Sequence, residues 1–307
     1  MGYPKTGTTY IQKEILSQIQ SSQVLVKPKG YVLDCSNALG EFGQFFRSSP
    51  RIWRALGNDF FTTLLGPSSA QESSENLLVS DESVGIDLAR SCSYAGSRGQ
   101  PQFPLGSGCT PHLAGLSRIA ERWKFTRVRV VVIIRRQDTW IPSAYVQEAE
   151  LRENPRQEDF RDHVHALLEP RRRLYEDGIV LDYNAVTRGL YRALGEDNVL
   201  VLPFEMMKEE PTDFFVRWAT FLSLSDDDIY RLKSFTERSD LTPMNVRSLT
   251  DNRWHIRREV AHLAHTGKDN FIKMTDDLSH QILSAYQTVN ETLDDLIEVD
   301  LQSYGYC

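Results

Sequence analysis

The feature that most constrains this chain is an unbroken run of five β-branched apolar residues, Val130-Val131-Val132-Ile133-Ile134, with arginine on either side. A strand that alternates apolar and polar residues buries one face; a strand apolar at every position needs both faces covered. That is the pattern of an interior strand in a parallel sheet flanked by helices. With Val128 included, the spacing predicts a strand over 128–134. No longer apolar run occurs, and five residues fall far short of the roughly 18 that a membrane span requires.

Weaker segments extend the pattern. Leu77-Leu78-Val79 reads as a buried strand opening onto polar Ser80-Asp81-Glu82, and Val199 to Leu202 as a third strand ending at Pro203-Phe204-Glu205. Helical spacing is found over 10–20, 113–125, 184–194, 211–222 and 226–235. A further helix follows Asp138, with Pro142 in its first turn. Strands alternating with helices predict an α/β fold with a mainly parallel sheet flanked by helices. The 307 residues are read as one domain, residues 1–307. The stretch 91–110, rich in Gly, Pro and Ser, is a candidate lid. From Asp276 the apolar residues Leu278, Ile282, Tyr286, Val289, Leu293 and Ile297 make an amphipathic helix over 276–300. That stripe is expected to pack on its own domain; the alternative is a seam between two copies of the chain.

With 40% hydrophobic and 25% charged residues, the chain is neither collagen-like nor disordered. The four cysteines (Cys35, Cys92, Cys109, Cys307) are scattered with no C-x-x-C pair, so reduced thiols in a cytoplasmic protein are expected. No basic segment followed by an apolar one opens the sequence, so no secretory signal is visible. The net charge of −7 argues against a dedicated nucleic-acid binder. The charge is uneven. Seven carboxylates and no basic residue lie between Asp276 and Asp300, whereas Arg118 to Arg136 holds seven basic residues against Glu121 alone. A local cluster of that kind could hold one small polyanion.

Gly2-Tyr3-Pro4-Lys5-Thr6-Gly7-Thr8-Thr9 leads into the first helix. Glycines allow a tight turn that aims successive N–H groups inward, and a helix N-terminus adds positive potential, so such a loop binds phosphate or sulfate. It has the G-x-x-x-x-G frame of a nucleotide P-loop, but Thr8 stands where the Walker lysine belongs and the lysine is displaced to Lys5. Thr9 falls at the hydroxyl position that holds magnesium in kinases.

Pro-Lys-Thr-Gly-Thr-Thr resembles the 5′-phosphosulfate loop of sulfotransferases that use 3′-phosphoadenosine 5′-phosphosulfate (PAPS). A second motif carries the same resemblance. In that family an arginine at the end of a buried strand and a serine eight residues later grip the 3′-phosphate; here Arg135 and Ser143 stand at that spacing. The wording Ile-Arg-Arg-Gln and Ser-Ala-Tyr is closer to bacterial and carbohydrate-type members than to the small-phenol enzymes. Val-Leu-Val-Leu-Pro-Phe-Glu-Met-Met resembles a later strand and helix of the family. Asn245-Val246-Arg247-Ser248 resembles the loop that closes over the nucleotide.

The resemblance implies a P-loop-like three-layer α/β fold and a PAPS-dependent transfer to a carbohydrate or small-molecule hydroxyl, with PAPS as co-substrate and no metal. Lys5 would act on the bridging oxygen of the leaving group. Backbone N–H groups from Thr6 through Gly7 to Thr9, with the Thr8 and Thr9 hydroxyls, would hold the 5′-phosphate and sulfate. Arg135, Ser143 and Arg247 would hold the nucleotide, with Arg136 as a weaker candidate. Small-molecule members place a histidine after the strand that corresponds to Leu77–Val79; this chain has Asp81 and Glu82 there. A carboxylate base is therefore expected, Glu82 in preference to Asp81, and it needs a raised pKa.

Two alternatives stay open: a P-loop kinase using ATP and magnesium, and a non-catalytic nucleotide-binding protein. His255, His262 and His265 could share a helix face, but the interleaved charges make an ordinary solvated helix the expectation rather than a metal site. His112 and the pair His163 and His165 have no evident partners. Trp53 and Trp140 are read as buried packing. A loop of this kind hangs from a buried strand, and only Met1 precedes Gly2. The expectation is an upstream strand of about four to seven apolar residues, or else a shortened and weakened chain with an unpaired slot in its sheet. The cytoplasmic expectation is conditional on that upstream segment, which could carry a membrane anchor. Neither nucleic acid nor membrane is expected as a partner of this chain, and a homodimer is the one assembly considered.

Overall fold

The computed structural model describes residues 6–26, 45, 48–65, 76–80, 109–149, 152, 155–169, 181–238, 248–249, 252–256 and 271–307. It is a mixed α/β structure with a small amount of parallel sheet. Strand β1 (Ser22–Val26) runs parallel to β2 (Asn76–Ser80), and β3 (Val130–Ile134) runs parallel to β4 (Val199–Pro203). Among the described residues no ladder joins the two pairs. A third, antiparallel sheet has the order β5 (Ser248–Leu249), β6 (Arg253–His255), β7 (Phe271–Lys273).

The run that dominated the sequence does form the buried strand. Val131 to Ile134 are all buried, and β4 lies against them in register from Val130–Val199 to Ile134–Pro203. The ladder starts two residues later than the apolar pattern. Arg129 instead turns its guanidinium to the end of the Pro211–Phe221 helix, donating to the Phe221 carbonyl and the Ser223 hydroxyl, both at 2.6 Å.

Helix boundaries follow local stop signals that hydrophobic spacing does not carry. The helix expected over 113–125 spans Cys109–Arg122. It stops because Lys124 adopts φ 64° and the Phe125 amide reaches back to the Ala120 carbonyl at 3.0 Å, a Schellman-type closure. Its start takes the last two residues from the candidate lid; residues 91–108 lie outside the described residues. The Gln137–Glu148 helix begins directly at Gln137, so Pro142 sits inside the helix rather than in its first turn. The Tyr183–Leu194 helix is capped by Asp182, which accepts from the Ala185 amide at 2.8 Å. His255 lies on β6 and not on a helix, because Trp254 and Ile272 bury a short antiparallel corner there; His262 and His265 lie outside the described residues. No group of three or more metal-ligating side chains occurs among the described residues.

The amphipathic stripe of the tail is real but shorter than expected. The helix spans Asp276–Asp294, with Thr275 as N-cap, and gives way to turns over 295–305. Leu278, Ile282, Tyr286 and Leu293 are buried, and the helix lies against those at Gln137–Glu148, Gln157–Leu168 and Tyr183–Leu194. Trp53 and Trp140 are core residues, as expected. His112 has a partner: it accepts from Trp53 Nε1 at 3.2 Å, and burial lowers its pKa to about 4. No helix among the described residues is long and apolar enough to cross a membrane.

Candidate active site

The carboxyl ends of β3 and β4 set the site. β3 runs out at Ile134, so Arg135 and Arg136 are the first residues off the strand, and the Gln137–Glu148 helix starts immediately after them. β4 runs out at Pro203 into a short helix, Phe204–Glu209. The described part of the amino-terminal loop arrives at this same place. Gly7 has φ 75°, the left-handed region that glycine occupies without a steric penalty. A side chain there would be strained by that φ and would push the flexible Met207 methyl aside, with a Phe204 ring carbon 3.1 Å from the Cβ position. After Gly7 the chain coils through Thr8–Tyr10, a π-helical turn at Ile11–Ile15 and a 3₁₀ turn at Leu16–Gln18. Thr6 and Thr8 are buried and Thr9 half-buried.

The ring of Phe204 that meets Gly7 also carries the Arg135 guanidinium 5.0 Å from its centroid, and the Lys208 ammonium at 5.6 Å. Loop and arginine, 128 positions apart in sequence (135 minus 7), therefore share one aromatic neighbour. Arg135 Nε donates to the Thr139 hydroxyl at 3.0 Å. Thr139 and the buried Ser143 are four residues apart, so they lie on one face of the Gln137–Glu148 helix.

The two arginines diverge. Arg136 forms a two-point pair with Asp138, at 2.7 and 3.1 Å, and Asp138 also accepts from the Ser279 hydroxyl at 2.7 Å. Burial lowers the Arg135 pKa, and the surrounding negative groups, Glu205 first, oppose that shift. Arg135 remains a cation at any ordinary pH, held where water does little to screen it.

Several participants carry no local sequence signal. Glu205, Tyr183 and Tyr306 surround the Arg135–Arg136 peptide. The Tyr183 hydroxyl donates to the Arg135 carbonyl at 2.7 Å, the Arg136 amide donates to Glu205 at 3.2 Å, and the Tyr306 hydroxyl donates to the other Glu205 oxygen at 2.8 Å. Thr139 could have been found, because it stands midway between Arg135 and Ser143 at helical spacing. Phe204 and Glu205 stand where the β4 pattern ends, within wording that resembles a strand and helix of the family, but that wording gives neither of them a role.

Of the other expected site residues, Lys5, Asp81, Glu82 and Arg247 lie outside the described residues. The end of β2 that leads to Asp81 is described: Gln12 Nε2 donates to the Ser80 carbonyl and hydroxyl at 3.2 and 3.3 Å. This ties that strand end to the helical segment following the loop.

The architecture is similar to that of a solved sulfotransferase from Alicyclobacillus acidocaldarius. The likeness has a TM-score of 0.53, covers 99% of this chain and 96% of that one, and comes with 15% sequence identity. No family model matches the chain, and no curated protein matches it in sequence. At that identity the likeness speaks for the fold, and the fold is sulfotransferase-like.

Proposed function

We propose that this chain is a sulfotransferase that moves a sulfuryl group from PAPS to a hydroxyl of a carbohydrate or other small metabolite. The observation that carries the reading is the meeting of Gly7 and Arg135 on the Phe204 ring. The two motifs whose wording resembles the family lie far apart in sequence, yet they flank one side chain at the ends of β3 and β4. The sulfotransferase-like fold supports the same reading.

In this proposal the backbone N–H groups of Thr6 to Thr9, with the Thr8 and Thr9 hydroxyls, hold the 5′-phosphate and the sulfate. Arg135, with Ser143 on the adjoining helix and Arg247, engages the 3′-phosphate that distinguishes PAPS from ATP. The acceptor oxygen attacks sulfur in line as the bond from sulfur to the phosphate oxygen breaks. Glu82, or Asp81, takes the acceptor's proton, and Lys5 stabilises the charge that develops on the departing bisphosphate. The transferred group carries less negative charge than a phosphoryl group, so these cations and amides suffice and the proposal assigns no metal.

The test is a thermal-shift titration with adenosine 3′,5′-bisphosphate against ATP plus magnesium. Ligand at 100 times its Kd adds about 2.7 kcal/mol, which corresponds to roughly several degrees in a chain of this size. Stabilisation by the bisphosphate, lost in Arg135→Ala, is the expected outcome. Stabilisation by ATP with magnesium alone would replace the proposal with a kinase.

A further inference from the structure

The carbonyl of Arg135 and the amide of Arg136 are two ends of one planar peptide group. That peptide is gripped at both ends, by the Tyr183 hydroxyl on the carbonyl and by the Glu205 carboxylate on the N–H. It is also the peptide from which the two arginine side chains depart in different directions. Rotating it would swing Arg135 off Phe204 and Thr139. Glu205 is in turn fixed by Tyr306, which is fully buried near the carboxyl end of the chain.

The tail carrying Tyr306 is itself tightly held. The Tyr306 carbonyl accepts from Asn290 at 2.8 Å, and Asn290 exchanges two hydrogen bonds with Gln137, at 2.9 and 3.2 Å. Both amides are completely buried, and Gln137 is the first residue of the helix that bears Thr139 and Ser143. One residue before Tyr306, Gly305 has φ 75°, and a Cβ there would come 2.8 Å from an Arg136 guanidinium nitrogen. A hydrogen bond from a deeply buried phenol to a carboxylate is far more than the packing of a chain end requires.

We infer that Glu205, Tyr183 and Tyr306 are positioning residues that clamp the Arg135–Arg136 peptide, and that the carboxyl-terminal tail thereby sets how strongly the site discriminates a 3′-phosphate. The clamp is built to stay in its donating form. Burial, and then the proximity of Glu205, raise the pKa of both phenols well above that of an ordinary tyrosine, so neither ionises at working pH. The inference rests on the proposed role of Arg135 and adds residues whose side chains act on the peptide rather than on the nucleotide.

The experiment is isothermal titration of the full chain with adenosine 3′,5′-bisphosphate and, separately, adenosine 5′-monophosphate. The ratio of the two affinities is the quantity read. In Tyr306→Phe the ratio is expected to fall about tenfold, as losing one charge-assisted hydrogen bond implies, with monophosphate affinity unchanged. Tyr304→Phe, on the same tail but bonded to Glu210 at 3.1 Å, should leave both affinities unchanged. Glu205→Ala should act like Tyr306→Phe, whereas Glu205→Gln, which keeps an acceptor oxygen for the Arg136 amide, should recover most of the ratio. An unchanged ratio in Tyr306→Phe, or an equal loss for both nucleotides, would overturn the clamp and leave the sulfotransferase reading standing. A parent chain with no preference for the bisphosphate would remove that reading and the clamp with it. Should Tyr306→Phe not fold, Tyr183→Phe, which frees the carbonyl end of the same peptide, should lower the ratio in the same way, and an unchanged ratio there would overturn the clamp.

Discussion

The two parallel pairs, β1–β2 and β3–β4, have the same length and the same in-register ladder, yet they are supported in different ways. β3 and β4 are buried nearly throughout, so side-chain packing on both faces holds them. β2 has one exposed residue and four half-buried ones. Its pair is also tied by polar links from outside the sheet. Asp228, completely buried, takes the backbone amides of Gln20 and Ser21 at 2.9 and 3.0 Å, together with the Ser21 hydroxyl and Arg231, just before β1 begins. Asn76 donates to the Ser223 carbonyl at 3.3 Å at one end of β2, and Gln12 holds Ser80 at the other. Backbone pairing alone therefore does not fix how a strand is stabilised: one pair rests on fully buried apolar volume, while the other adds a few directional bonds to the half-buried packing of Val24, Leu78 and Val79 against the core.

The sharpest test of that contrast is truncation of an apolar residue in each pair. Ile134→Ala should cost about 4 kcal/mol, since Ile134 is completely buried and the surroundings of such a cavity relax only in part. Leu78→Ala, at a half-buried position, should cost only about 1 kcal/mol. Equal losses in urea melts would break the comparison.

The next effect belongs to the other pair. Asp228→Asn should cost about 3 kcal/mol, because it removes a buried charge whose partners remain. It should also change the acid response. Burial alone would raise the Asp228 pKa, but the bonds from Ser21, Arg231 and the Gln20 and Ser21 amides outweigh it and hold the pKa well below the ordinary carboxylate range. A depressed folded-state pKa means that the unfolded chain binds the proton more readily. The stabilisation is thus complete above the unfolded value of 3.8 and drains away as pH falls through the folded one. Stability of the parent chain should drop more steeply below about pH 4 than that of Asp228→Asn, and parallel acid limbs would refute the assignment. The smallest effect is Gln12→Ala, about 0.5 kcal/mol, read as a small loss of melting temperature with no change in m-value.

The same contrast explains what could be read in advance. β3 was legible because every one of its residues is apolar, a pattern that no surface element tolerates. β1 was not, since Ser22-Gln23-Val24-Leu25-Val26 offers only three apolar residues, and what defines the strand is its neighbour β2. The antiparallel corner escaped notice because strands of two and three residues carry too little periodicity, and the charges around His255 suggested a helix instead. In the site, the loop threonines and Arg135 announced themselves through local wording. Glu205 and Tyr306 did not, because their roles depend on contacts across 69 and 101 positions. Hydrogen bonds of that range are consequences of the packed fold and leave no spacing to detect.

Pro142 has a further consequence for the turn that follows Arg135 and Arg136. Lacking an N–H, it cannot bond back to the turn that begins at Gln137, so that turn is joined to the rest of its helix by fewer backbone bonds. What holds it is side-chain chemistry: Gln137 on Asn290, Asp138 on Ser279, Thr139 on Arg135. The turn is therefore one backbone bond short of a regular helix start, and these polar links, together with Trp140 buried in the core, make up the difference. The amide protons of Thr139 and Trp140, both bonded to the Arg136 carbonyl, are those whose hydrogen exchange would follow the turn that carries Arg135 into its helix.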